Sequence, residues 1–158
     1  MTVEDGEHRG VEPAEQAAAM LTAAGMPRMP ARVMMALVAA PDGGYTAAQL
    51  AERLGVSPAA VSGAVRYLQG LHVIQRRSRP GERRDRYAFV HDPFYRSIVG
   101  NLPVYERLSD YIDDIAGEHA DDPDAQERAA ELAAFFRFLS TRMRQIVEEW
   151  HEHRRAQD

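Results

Sequence analysis

Between Ser57 and Val90 the sequence gathers seven arginines, Arg66, Arg76, Arg77, Arg79, Arg83, Arg84 and Arg86, against two acids, Glu82 and Asp85. That stretch therefore carries +5, and since the whole chain carries −5 the remainder carries −10. All 19 basic residues are arginine, and there is no lysine. Guanidinium groups suit phosphate oxygens and the O6/N7 edge of guanine, which they can grip with two parallel hydrogen bonds. A basic patch on an acidic body is the footprint of a local anionic partner. Immediately before the patch stand Ser57, Ala59, Ala60, Ser62 and Gly63, all small. On a helix such residues pack a core poorly, yet they let the helix lie deep in a major groove, with alanine methyls near thymine methyls.

Other reactive side chains do not combine. His151 and His153 are two residues apart, so on a helix they point to opposite sides and cannot share an ion. His119 with Asp121, Asp122 and Asp124 is oxygen-rich but lacks the glycine and spacing of a calcium loop, and reads as a solvated acidic linker. Pro41-Asp42-Gly43-Gly44 is a turn and not a phosphate loop. His91 reads as a structural or hinge residue after the arginine-rich stretch, and not as a ligand. The absence of cysteine excludes a disulfide framework, a thiolate metal site and a cysteine nucleophile. No serine sits in a nucleophile elbow and no HExxH occurs. The expectation is a non-enzyme with no cofactor and no metal.

The elements that would position the patch can be read from spacing. Residues 1–12 are charged and glycine-containing, and are expected to be disordered. A helix over 13–25 starts at Pro13 and stops at Gly25. A second opens at Pro30, carries Val33, Met34, Leu37 and Val38 at helical spacing, and ends at Pro41. Thr46 is a fitting N-cap for a helix over 46–54 with Leu50, Ala51 and Leu54 on one face. Gly55-Val56-Ser57 makes a tight turn, and Ser57-Pro58 starts a helix over 58–69 that buries Val61, Val65 and Leu68. HVIQRR and DRYAFV read as two strands of a hairpin whose turn contains Pro80-Gly81. Beyond His91 the pattern is helical, with Gly100 and Pro103 expected to kink or split it. A fresh start at Pro123 or Asp124 then leads into a helix of some 27 residues, about 40 Å long.

Helix, three-residue turn, helix and arginine-rich hairpin make a winged helix-turn-helix. The expected class is mainly α with a small β-hairpin wing. Its regions are an N-terminal helix (13–25) contributing to dimerisation, a winged helix-turn-helix DNA-binding domain (26–91) and a helical dimerisation region (92–158). The expected DNA contacts are Ser57, Ala59, Ala60, Ser62 and Arg66 from the second helix, and Arg79, Arg83, Arg84 and Arg86 from the wing.

Pro27-Arg28…Arg32-Val33, TAAQLAERLGVSPAAVSGAVRYL and the wing ending Arg83-Arg84-Asp85-Arg86-Tyr87 together resemble the MarR superfamily, most nearly its GbsR-type branch. The resemblance covers about 65 of the 158 residues closely. It implies a homodimeric transcriptional regulator, usually a repressor, often relieved by a small molecule. A dimer also follows physically, because one recognition helix reads too few base pairs for genomic specificity, whereas two placed about 34 Å apart read a palindromic operator. Phe135, Phe136, Phe138 and Trp150 are candidate interface anchors. Met34, Met35, Phe94, Tyr95, Ile98 and Tyr105 are candidates to line an effector pocket, and each can equally serve as core. The competing reading is a winged-helix protein-interaction module that binds no DNA. No apolar run approaches the length of a membrane span, and from the polar N-terminus no signal peptide is expected. The expected address is the cytoplasm, on the bacterial nucleoid when DNA is bound.

Overall fold

The computed structural model describes residues 10–41, 43–78, 80–81, 83–89, 93–118 and 121–157, with side chains in the second-last helix described from Gly100 onward. It divides into two compact units, Met1–Phe94 and Tyr95–Asp158. The disorder expected at the N-terminus falls largely on residues 1–9, outside the described residues.

In the first unit, α1 (Val11–Ala23) begins two residues before Pro13 and packs along α2 (Arg28–Val38). Pro30 does not open α2 but stands in its first turn, where an N–H has no acceptor within the helix, so the missing donor costs nothing. Nearly every residue of α2 from Pro30 to Leu37 is buried, which makes it the central post of this unit. After Gly43 and Gly44 comes a two-residue strand, β1 (Tyr45–Thr46), which runs into α3 (Ala47–Leu54). Thr46 caps α3 reciprocally: its hydroxyl accepts the Gln49 N–H at 3.2 Å and the Gln49 side chain accepts the Thr46 N–H at 2.9 Å. Gly55 takes the left-handed conformation (φ 62°) that ends α3. Ser57 then caps α4 (Pro58–Gly70), accepting the Ala60 N–H at 3.3 Å, with Pro58 at the first helical position.

Strands β2 (Ile74–Arg77) and β3 (Arg86–Phe89) form the hairpin, antiparallel, with Arg76 opposite Tyr87 and Arg77 opposite Arg86. The sequence reading missed β1. It pairs with the free edge of β3, Tyr45 opposite Tyr87, giving a three-stranded sheet of order β1-β3-β2. One core joins these elements, with Val33 and Leu37 of α2, Tyr45 of β1, Leu50 and Leu54 of α3, Val61, Val65 and Leu68 of α4, and Ile74 of β2.

The second unit is two long helices, α5 (Pro93–Glu118) and α6 (Pro123–Arg155). Pro103 lies inside α5 without splitting it. Losing one backbone bond there costs about 3 kcal/mol, and the helix is held by what it buries on either side, including Leu102, Ser109 and Ile112. Helix α6 is capped by Asp122, whose Oδ1 accepts the Ala125 N–H at 3.0 Å. The helices run antiparallel: Tyr105 stacks on Phe136 with ring centroids 5.8 Å apart, and Arg144 pairs with Glu106 and Arg137 with Asp113. Ala133, Ser140 and Val147 form the buried stripe of α6. The two buried hydroxyls donate within their own helices, Ser109 to the Glu106 carbonyl and Ser140 to that of Phe136. No described helix is long and apolar enough to cross a membrane.

Candidate nucleic-acid interface

The amphipathic split of α4 decides what it offers to solvent. Val61, Ala64, Val65 and Leu68 point into the core. The opposite face exposes Ala59, Ser62, Gly63, Arg66 and Tyr67, with Ala60 half-buried at the edge. Four of the five expected α4-region contacts, Ser57, Ala59, Ser62 and Arg66, thus lie on the exposed face, and no side chain larger than serine stands between Pro58 and Arg66 on it. Ser57 has a structural duty as well, since its hydroxyl caps the helix. The sequence reading overlooked Tyr67, which is 41% exposed beside Arg66 and brings an aromatic ring and a hydroxyl to the same face. Its position one residue beyond Arg66, between the buried Val65 and Leu68, is the signal that could have found it.

The wing arginines divide by environment. Arg83 and Arg84 are exposed near the hairpin turn. Together with Arg86 they line an open concavity whose other wall is the start of α3: Thr46, Ala48, Gln49 and Glu52. Among the described residues, three guanidinium groups here meet one carboxylate. Arg86 is half-buried and donates from Nη1 to the Gly44 carbonyl at 3.1 Å, which fastens β3 to the loop before β1. Arg79 lies outside the described residues. Arg76 pairs with Asp85 across the base of the turn, and the Ser78 hydroxyl donates to the other carboxylate oxygen at 2.7 Å. The Arg76 guanidinium, then the Ser78 hydroxyl, hold the Asp85 carboxyl below its ordinary range, and Asp85 in turn raises Arg76. Asp85 is therefore an ionised tether within the wing.

Arg53 differs from the rest: it is 9% exposed, sits over the Tyr45 ring at 5.6 Å and donates to the Tyr45 hydroxyl at 3.2 Å. It belongs to the core side of α3.

The residues named for an effector pocket are drawn from both units. Met34 is in the core of the first unit and Met35 packs against that core. Tyr105 spends its ring on Phe136 in the second unit. The side chains of Phe94, Tyr95 and Ile98 lie outside those described.

Compared with known proteins, residues 24–85 match a family model described as MarR family, and residues 92–153 match one described as MmpR5-like MarR family transcriptional regulator. A solved structure of a transcriptional regulator superposes with a TM-score of 0.80 at 17% identity, over 90% of this chain and 98% of the other. At that identity the likeness speaks for the fold. MepR, a transcription regulator of the Staphylococcus aureus multidrug efflux pump MepA, aligns at 16% identity over 92% of this chain and 84% of its own, with a TM-score of only 0.42. No curated protein matches the sequence. With consecutive stretches matching one family and a fold whose helix-turn-helix and wing are in place, the chain belongs to the MarR family of winged helix-turn-helix transcriptional regulators, DNA-binding proteins that are not enzymes.

Proposed function

We propose that this protein is a homodimeric repressor that reads a palindromic operator in double-stranded DNA, with α4 in the major groove and the wing on the adjacent backbone or minor groove. The observation that carries the reading is the exposed face of α4, slim from Ala59 to Gly63 and ending in Arg66. Arg66 supplies the base contact. Ser57, Ala59, Ala60 and Ser62 allow close approach and hold phosphate. Arg83 and Arg84 supply backbone charge, Arg79 extends it, and Arg86 contributes while anchored to Gly44. The Pro27-Arg28…Arg32-Val33 run supports the GbsR-type branch.

Dimerisation is supported by apolar side chains left in solvent on the second unit. Helix α5 exposes Val104, Leu108, Tyr111 and Ile115, and α6 exposes Leu132, Phe135, Phe138, Ile146 and Trp150. A monomer gains nothing by leaving so many large apolar groups wet. Relief by a small molecule follows if that molecule binds better to the dimer conformer whose recognition helices are wrongly spaced for DNA. The site of action is the bacterial cytoplasm, on the nucleoid.

Selection of bound duplexes from a random pool at two salt concentrations tests the reading. The expected result is an inverted repeat whose affinity falls steeply with salt, because each phosphate contact releases counterions. No enrichment, or binding indifferent to salt, would overturn it in favour of a protein-binding winged helix.

A further inference from the structure

One guanidinium in the first unit joins three helices. Arg32, on α2, donates from Nε to both carboxylate oxygens of Glu15 on α1, at 3.0 and 2.8 Å. From Nη2 it donates to the Leu54 carbonyl at 2.9 Å, the last residue of α3. The end of α3 has its own backbone cap, in which the Val56 N–H reaches the Ala51 carbonyl at 3.0 Å and the Gly55 N–H the Glu52 carbonyl at 3.1 Å. Those bonds leave the Leu54 oxygen, at the negative end of the α3 dipole, for a cation. Leu54 opens the turn that aims α4. The Arg32 side chain is 18% exposed and that of Glu15 39%, so both ends of the link are partly withdrawn from water.

We propose that Arg32 is a positioning residue that locks the helix-turn-helix to α1 and so sets the distance between the two recognition helices of the dimer. The proposal rests on the dimeric DNA reading above, with α1 contributing to dimerisation. Apolar packing of α1 on α2 is tolerant of small rotations, because dispersion contacts have no direction. A forked hydrogen-bond donor does have one. Its planar guanidinium shares the Nε N–H between the two Glu15 oxygens while Nη2, the neighbouring donor, holds the α3 carbonyl. A lysine ammonium is a point charge and cannot span both in this geometry. When the link is broken each head can still read its half-site, but it is no longer fixed relative to α1, the helix of this unit that contributes to the dimer.

The test uses the full chain and the inverted repeat selected by the unaltered protein. Affinity is measured for a single half-site, for the complete repeat, and for repeats whose spacer is lengthened or shortened by one and two base pairs. Arg32→Met and Glu15→Gln are expected to bind the half-site within about twofold of the unaltered protein, and to lose about tenfold on the complete repeat, within the usual span of coupling between sites. Both are also expected to discriminate less among spacers. Arg32→Lys is expected not to restore the spacer preference, a readout that general loss of stability does not mimic. Should Arg32→Met fail to fold, Glu15→Gln carries the test, since it removes the charge from the half-exposed end of the link only. Spacer preference unchanged in the variants, or equal losses on half-site and complete repeat, would overturn the proposal. If the unaltered protein selects single sites or no DNA, the dimeric reading falls first and the positioning role with it.

Discussion

Gly44 lies directly against the main chain of Tyr87: a β-carbon at Gly44 would overlap the Tyr87 carbonyl oxygen and stand 3.0 Å from the Ala88 Cα. Gly44 also holds φ at +76°, a conformation that side chains disfavour. This contact brings β1 onto β3, and because Thr46 is both the end of β1 and the cap of α3, it ties the wing to the helix-turn-helix. Gly44→Ala must move one strand off the other. The expected loss is on the order of 2–4 kcal/mol of stability, combining backbone strain with lost pairing. Urea denaturation measures it, and a variant as stable as the unaltered protein would mean the wing is not seated as described.

Arg66 and Arg84 should fail differently. Arg66 stands on the exposed face of α4 among small residues. Arg66→Ala is expected to cost about 1–3 kcal/mol and to relax preference at one base pair of each half-site. Arg84 lines the concavity beside α3. Arg84→Ala should weaken all duplexes alike and reduce the slope of log affinity against log salt by about one. Titrations of specific and scrambled duplexes at several salt concentrations separate the two. Full sequence selectivity in Arg66→Ala would remove that residue from the base contacts.

Asp85 poses a sharper question of sign. A carboxylate in a DNA-binding wing repels phosphate, so its removal should strengthen binding if charge alone mattered. Asp85 instead holds Arg76 and Ser78 across the base of the turn. Asp85→Asn is therefore expected to weaken DNA binding, by loosening the strands that present Arg83 and Arg84. Tighter binding by the variant would show that the tether is dispensable.

The same tether fixes a pH dependence. Hydrogen bonding from Arg76 and Ser78 lowers the Asp85 pKa in the folded protein. A group depressed in this way contributes fully above its unfolded value, about 3.9, and the contribution fades as pH falls through the lower folded value. Wing order, followed by NMR of the Asp85 carboxyl and its neighbours, should be constant from neutral pH to about pH 5 and be lost only below about pH 4. A midpoint above the ordinary aspartate range would contradict the pairing.

The parts of this fold that were legible in the sequence are those settled by neighbours. Thr46, Gly55 and Ser57-Pro58 each act on backbone groups within four residues, so the ends of α3 and α4 could be read from local chemistry. The inner face of α4 followed from the spacing of Val61, Val65 and Leu68. Strand β1 was not legible, since two residues carry no periodicity and their pairing is decided by Tyr87 and Arg86 some forty positions on. The division of labour among the arginines was hidden for the same reason. Nothing near Arg86 or Arg53 announces that one binds the Gly44 carbonyl and the other covers Tyr45. Pro103 argued for a break in α5, and the packing of Leu102 and Ile112 outweighed that local signal.

The exposed apolar side chains of the second unit lead to the last prediction. On α5, Val104, Leu108, Tyr111 and Ile115 follow one another at four-, three- and four-residue steps, a single stripe along the helix. It is distinct from the face that meets α6, where Tyr105, Ser109 and Ile112 turn inward or take part in stacking. Helix α6 repeats the arrangement: Phe136 stacks on Tyr105 while Phe135 stays 54% exposed. If a second copy covers these stripes, a charge placed on them should break the assembly and spare the fold. Phe135→Glu and Ile115→Glu are expected to sediment as helical monomers with unaltered circular dichroism. They should also lose the complete inverted repeat while keeping weak half-site binding. An unaltered protein that sediments as a monomer at micromolar concentration, or charged variants that remain dimeric, would move the dimer contact away from these two faces.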